Sequence, residues 1–220
     1  MLDGFGEPLR DELIDLPVLS TETVFAGRVW NIERERFMLG ESAADSETEI
    51  TREFMAHTGA VAVLALDERE RVLLIKQYRH PVRAREWELP AGLLDEQGES
   101  PLLTAQRELA EEADLVAEDW ALLSEFASSP GGSNEVIRIY LARGISAAHE
   151  VYSRTEEEAE SELRWVRLDE AVDAVLARDV QNSILVVGVL SAHAGLASGW
   201  QNLGDADSPW PRHPAERSGR

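Results

Sequence analysis

The chain has 220 residues, no cysteine, 44% hydrophobic residues and a formal net charge of −21. That size suits one well-cored domain with an added layer, or two small ones; the lack of cysteine excludes disulfides and thiolate zinc sites and makes a cytoplasmic setting the default. The acidic balance argues against non-specific nucleic-acid binding, no apolar run is long enough to span a bilayer, and the acidic opening MLDGFGEPLRDELIDL lacks the basic start of a secretory signal.

Residues 1 to about 20 show no sustained period and read as an arm. Residues 21–30 and 32–38 read as two strands of a mostly polar sheet, 40–46 as a small acidic loop, and 50–57 as a further strand. This 1–57 piece is too small for a generous core, so it is expected to pack on the main domain or on a second subunit. The main domain, 58–197, opens with AVAVLAL at 60–66, a continuous apolar run suited to a strand buried on both faces. A charged turn at 67–71 leads into the strand 72–78, so the two runs read as a hairpin. A basic loop at 79–85, a short strand at 86–89 and a turn at 90–92 come before a helix. Strands follow at 120–127 and 135–142, around a loop at 128–134, and at 163–168 after a long acid-rich connection. Asp169 is placed to cap a helix over 170–178, and 183–197 is a helix apolar nearly all round. Residues 198–220 are rich in Pro, Gly, Ser and Asp and read as a mobile tail. The order implies an α+β fold: a mixed sheet sandwiched between helical layers, α/β/α, with a small antiparallel sheet at the N-terminus.

The chemistry concentrates in 92–115, GLLDEQGESPLLTAQRELAEEADL. Pro101 suits the first helical turn, where its missing N–H is harmless, with Ser100 or Glu99 ahead of it. At about 100° per residue, Glu108, Glu111 and Glu112 share one sector, and Leu102, Ala105, Leu109 and Ala113 the neighbouring one, which would face the sheet. Like charges so placed repel by about 0.2–0.5 kcal/mol per exposed pair. Around a hard cation such as Mg²⁺, which takes carboxylate and water oxygens, the same cluster becomes favourable. RELAEE alone reads better as a solvated, salt-bridged helix face, since such hexamers occur in many unrelated helices.

The full spacing decides. Gly92, Glu99, Arg107, Glu108, Leu109, Glu111, Glu112 and Leu115 resemble the Nudix box of the Nudix hydrolase family. Six residues rather than the pattern's five separate Gly92 from Glu99, the extra one in the loop where insertion is cheapest. Asp114 replaces the box's second glycine at the helix end, where a left-handed conformation is expected. The resemblance implies a Nudix fold and metal-dependent hydrolysis of a phosphate anhydride, with Mg²⁺ as the ion and Mn²⁺ as a substitute. It makes Glu108 and Glu112 metal ligands and Glu111 a ligand or an acid one layer behind, with a share in catalysis. The Ala91 carbonyl would complete the metal site. Glu99 would hold the loop or reach metal through water, and Arg107 would orient the acids.

Features outside the box resemble the ADP-ribose and nucleoside-diphosphate-sugar pyrophosphatase branch. They are QYRH at 77–80 followed by EWELPAG at 86–92, Pro130 within SPGGSNE at 129–135, the N-terminal sheet, and the Asn182–Ser183 helix start. This likeness implies a homodimer that hydrolyses a small nucleoside diphosphate, ADP-ribose, to AMP and ribose 5-phosphate, without nucleic acid or membrane as partner. Pro130 is the position associated with that substrate. Arg79 and Arg85 suit phosphate oxygens, since a guanidinium grips two at once, and suit pairing with nearby acids equally. Trp30 suits stacking on adenine or anchoring the packing. Trp87 reads as core and His80 as structural. In this branch the base that deprotonates water often sits on a late loop, which points to Glu157 and Glu158 within EEEAE at 156–160; a solvated acidic loop is the plainer reading of most of these acids. Two other functions fit the same residues: hydrolysis of a sugar nucleotide or dinucleoside polyphosphate, and a Nudix-fold module that senses a nucleotide without cleaving it.

Overall fold

The computed structural model describes residues 8–40, 48–149, 152 and 161–217. The chain forms two compact units, residues 1–56 and 57–220.

The N-terminal unit is an antiparallel sheet of β1 (Val18–Ala26), β2 (Asn31–Leu39) and β3 (Thr48–Ala56), in that order. Its sequence is polar, and cross-strand charge pairs replace apolar alternation as the register signal. Arg34 on the central strand stands opposite Glu22 on one side and Glu53 on the other. Its guanidinium reaches Glu53 at 2.6 Å and Glu22 at 3.4 Å. Arg36 pairs with Glu49 at 2.6 Å.

In the main unit, β4 (Ala60–Ala65) is buried at every residue. Its alternation divides the core in two. Ala62 and Leu64 pack toward α2 (Leu168–Ala177) and α3 (Ser183–Ala197), against Val172, Leu185, Val189 and Ala192. Val61, Val63 and Ala65 pack toward α1 (Pro101–Ala113), against Ala105, Leu109 and Ala113. The sheet between these layers is mixed. Strand β4 runs parallel to β9 (Val136–Ala147) and antiparallel to β7 (Ala91–Leu93), and β8 (Leu115–Ala127) and the short β11 (Gly204–Asp205) extend it beyond β9. A second, antiparallel sheet orders β10 (Glu162–Arg167), β5 (Arg71–Arg79) and β6 (Ala84–Glu88). The α/β/α arrangement is therefore the one the sequence implies.

Three local expectations are corrected. Strands β4 and β5 do not form a hairpin, because β9 and β7 already occupy both edges of β4. Only Leu66 and Val72 bridge, and Asp67 turns the corner by accepting the Arg69 and Arg71 N–H groups at 2.9 and 2.8 Å. Residues 90–92 are not a simple turn: Ala91 and Gly92 lie in β7, opposite Ala62 and Val61. Helix α2 starts at Leu168, which is buried, so Asp169 lies inside its first turn and pairs with Arg167 at 2.9 Å instead of capping.

The segment after Ala197, set apart by composition as a tail, packs on the main unit up to α4 (Pro214–Arg217). Trp210 is 5% exposed. The Arg138 guanidinium lies 4.6 Å from its ring centre, and the His213 ring leans on it at 5.1 Å. Arg138, itself buried, donates to the Ser208 carbonyl at 2.9 Å and pairs with Glu125. His213 donates from Nε2 to the Thr58 carbonyl at 2.8 Å, and burial holds its pKa below the ordinary value. A few large anchors in a Pro- and Ser-rich stretch do what composition hides. Trp210→Ala should lower the unfolding free energy by about 3 kcal/mol or more, read as a lower denaturant midpoint at unchanged slope. An unmoved midpoint would show that this segment unfolds separately from the main unit.

Candidate active site

Helix α1 is set in place at both ends. The Ser100 hydroxyl accepts from the Leu103 N–H at 3.3 Å, and Pro101 opens the helix. At the other end Asp114 takes the left-handed conformation, φ 53° and ψ 37°, and its N–H returns to the Ala110 carbonyl at 2.9 Å. Asp114 also does what glycine cannot: its Oδ1 accepts from the Tyr152 N–H at 3.1 Å. Between the ends, Ala105, Leu109 and Ala113 bury one face against the sheet, and this fixes the rotation of the acidic face.

That face lies against β7. Oε2 of Glu112 accepts the Ala91 N–H at 2.9 Å. Glu108 rests on Gly92 so closely that a β-carbon there would sit 2.0 Å from its Oε1. Glycine is thus required at 92 for space, not for an unusual backbone angle. Arg107 gathers the remaining acids. Its Nη1 donates to Glu108 at 2.8 Å and to Glu111 at 2.9 Å, and its Nε and Nη2 both reach Glu99 at 3.1 Å. Thr104, fully buried, donates its hydroxyl to Glu99 at 2.9 Å. Hydrogen bonding to Arg107 is the largest influence on Glu99 and holds its carboxyl below the usual carboxylate range. Bonding to Glu99, then the charges of Glu108 and Glu111, push Arg107 above its already high value.

The expected metal set, Ala91, Glu108, Glu111 and Glu112, is therefore brought to one place, with Glu99 and Arg107 beside it. Among the described residues no three His, Asp or Glu side chains stand gathered as a finished cage. Arg107 and the Ala91 N–H engage these carboxylates as they stand. The donor set is nonetheless all hard oxygen, and the single guanidinium leaves its negative charge in surplus, which suits a hard divalent cation.

The other predicted residues lie on other elements and loops. Both nitrogens of the Arg79 fork lie on Glu88, at 2.9 and 2.7 Å; Glu88 is 3% exposed and also takes the Gln77 amide at 3.1 Å. Pairing with an acid, one of the two readings of Arg79, is thus what the structure shows. Arg85 is exposed on β6, opposite Tyr78. Pro130 is exposed in the loop between β8 and β9. Trp30 belongs to the N-terminal unit, between β1 and β2, where its carbonyl accepts from Gly27. Glu157 and Glu158 lie outside the described residues. Sequence reading missed Thr104 and Glu88, which support Glu99 and Arg79. Glu88 lies within the EWELPAG stretch without a role assigned to it, and a threonine four residues after a capping serine is a place to look.

A family model described as NUDIX domain matches residues 56–185. The chain belongs to the Nudix family. It is 36% identical over 206 residues to the ADP-ribose pyrophosphatase of Mycobacterium tuberculosis (strain ATCC 25618 / H37Rv), covering 94% of this chain and 96% of that one. It is 34% identical over 178 residues to the methanol dehydrogenase activator of Bacillus methanolicus, covering 81% and 92%. A crystal structure of an ADP compounds hydrolase shares the fold with a TM-score of 0.68 at 21% identity, covering 86% of this chain and 98% of that one. This Nudix protein is a hydrolase acting on pyrophosphate bonds, in a family that generally uses a divalent metal. No helix among its described residues is long and apolar enough to cross a membrane. Gly92→Ala should displace Glu108 and reduce kcat/KM for diphosphate hydrolysis by about 10²-fold. The melting temperature should stay close to that of the unmodified protein. Near-normal kcat/KM would contradict the fit of Glu108 over residue 92.

Proposed function

We propose that this Nudix hydrolase cleaves the diphosphate of ADP-ribose, with Mg²⁺ bound, to AMP and ribose 5-phosphate. The observation that carries the chemistry is the seating of the acidic face of α1 on β7, through Glu108 over Gly92 and Glu112 on the Ala91 N–H. The substrate rests on the relative named ADP-ribose pyrophosphatase, whose likeness runs through nearly the whole of both chains, and on Pro130 in the loop between β8 and β9. Glu108, Glu111 and Glu112, with the Ala91 carbonyl, would hold the ion. The chemistry a divalent ion supplies when bound is neutralisation of the diphosphate and acidification of water.

This chain's own residues do the rest. Arg107 orients Glu108 and Glu111, and Glu99, held by Thr104, orients Arg107. A base from the 156–160 stretch, Glu157 or Glu158, takes a proton from the attacking water. The anhydride bond breaks as the new P–O bond forms, so that AMP and ribose 5-phosphate each leave with one phosphate. Arg85, and Arg79, whose side chain stays 44% exposed beside Glu88, would meet the phosphates, and Trp30 the adenine. The polar β1–β3 sheet would serve a homodimer.

A panel of nucleoside diphosphate derivatives tests the reading, with Mg²⁺ or Mn²⁺ and products separated by chromatography. ADP-ribose should be the best substrate, and sedimentation should give twice the chain mass. Glu112→Gln should lose most of its turnover and its calorimetric Mg²⁺ binding while remaining folded; normal values for both would sink the metal assignment. Unchanged rates in both Glu157→Gln and Glu158→Gln would move the base elsewhere. A sugar nucleotide cleaved faster than ADP-ribose would replace the substrate.

A further inference from the structure

The main unit holds a histidine–glutamate pair, the histidine buried and the glutamate half-buried, that the chemistry above does not use. His57, the first residue of that unit and 7% exposed, stands just ahead of β4. Its Nδ1 accepts the Gly59 N–H at 3.0 Å, so Nε2 carries the proton and points to Glu135 Oε1 at 3.0 Å. The backbone N–H of His57 donates to Asn134 Oδ1 at 2.7 Å. The second oxygen of Glu135 takes the Ser128 hydroxyl, and the Glu135 N–H donates to Ser133 Oγ at 3.1 Å. Apart from His57 itself and the Gly59 N–H beside it, every one of these groups lies in the loop between β8 and β9.

The loop itself is closed within. The Gly132 and Ser133 N–H groups both return to the Ser129 carbonyl at 2.9 Å. Its tip is bare: Pro130, Gly131 and Gly132 are exposed, and a β-carbon added at either glycine would meet nothing within 4 Å. A pinned base below a bare tip describes a loop built to present something. Pairing of β8 with β9 already holds the two ends of the loop together, as far as Ala127 opposite Val136. The bond from a neutral imidazole to a carboxylate fixes both groups in place, and what it positions is the 128–135 loop.

The same short segment reaches the metal helix's partner strand. The Gly59 carbonyl accepts the Leu94 N–H at 3.1 Å, next to β7. Ala60 stands opposite Leu93 on one side and Ile137 on the other. The residues entering β4 are therefore bonded both to the loop that carries Pro130 and to the strand that carries Ala91 and Gly92.

We infer that His57 is a positioning residue for substrate recognition: with Glu135 and Asn134 it fixes the 128–135 loop relative to β7, and so sets where Pro130 meets the substrate. This rests on the reading that Pro130 borders ADP-ribose. His57 touches neither substrate nor reacting atoms and acts through the loop.

The test uses the full chain with His57→Gln, Asn134→Ala, Ser128→Ala and the conservative Ser128→Thr. Amide hydrogen exchange across 128–135 and separate KM and kcat values for ADP-ribose are measured. Losing a bond to the charged Glu135 should speed exchange in the loop about tenfold. It should raise KM by a similar factor while kcat stays within about twofold, with Ser128→Thr close to the unmodified protein. Asn134→Ala and Ser128→Ala, both changes in the loop, keep the question open to refutation if His57→Gln does not fold. Unchanged exchange in all the folded variants overturns the clamp and leaves the ADP-ribose reading intact. Faster exchange with unchanged KM overturns the role in recognition and shows that Pro130 does not border the substrate. A general loss of kcat with KM unmoved assigns His57 to the scaffold and also overturns the inference.

Discussion

Glu108 occupies the space that a side chain at residue 92 would fill, and the organisation of the main unit follows from keeping that space open. For the acid to lie there, α1 must approach β7 within side-chain contact. The small Ala105 and Ala113, with Leu109, allow close packing on the sheet, and β4 must be buried on both faces to hold β7 on one edge and β9 on the other. The approach concentrates like charge. Arg107 offsets part of it by bonding three carboxylates at once, and Thr104 keeps Glu99 among them. A packing constraint and an electrostatic one are met by the same thirteen-residue helix.

How much of this could be read without coordinates depended on whether the information was periodic. The run at 60–66 gave the doubly buried strand, and the sector arithmetic on 101–113 separated buried alanines from acids. Of Ser100 and Glu99 ahead of Pro101, Ser100 is the cap, and the left-handed Asp114 and the helix start at Asn182–Ser183, both expected from the family resemblance, appear. Pairing did not follow. Which strand lies beside β4 is decided by β9, more than seventy residues later in the chain, so two adjacent apolar runs were read as a hairpin that does not exist. Composition also hid the packing of the C-terminal segment, where a single tryptophan against a buried arginine outweighs many small polar residues.

Within the site the same division holds. Acids on one helix turn were legible because the helix repeat places them together. The Ala91 N–H that holds Glu112 and the Glu88 carboxylate that holds Arg79 come from strand geometry, which the helix repeat does not reveal. Arg79 illustrates the limit. Its charge among acids suggests phosphate or ion pair with equal force, and nothing in that charge says that the acid it meets is the buried Glu88 at the end of β6.

Asp114 does two things at one position. Its left-handed backbone ends the helix that carries Glu108, Glu111 and Glu112, and its carboxylate takes the N–H of Tyr152, which follows β9 in the chain. A glycine would make the same turn at less cost but has no side chain to hold that N–H. The irregular residue at the end of α1 thus trades an easy backbone turn for a long-range tie, and the end of the acidic helix is moored to a segment that the helix repeat could not foretell.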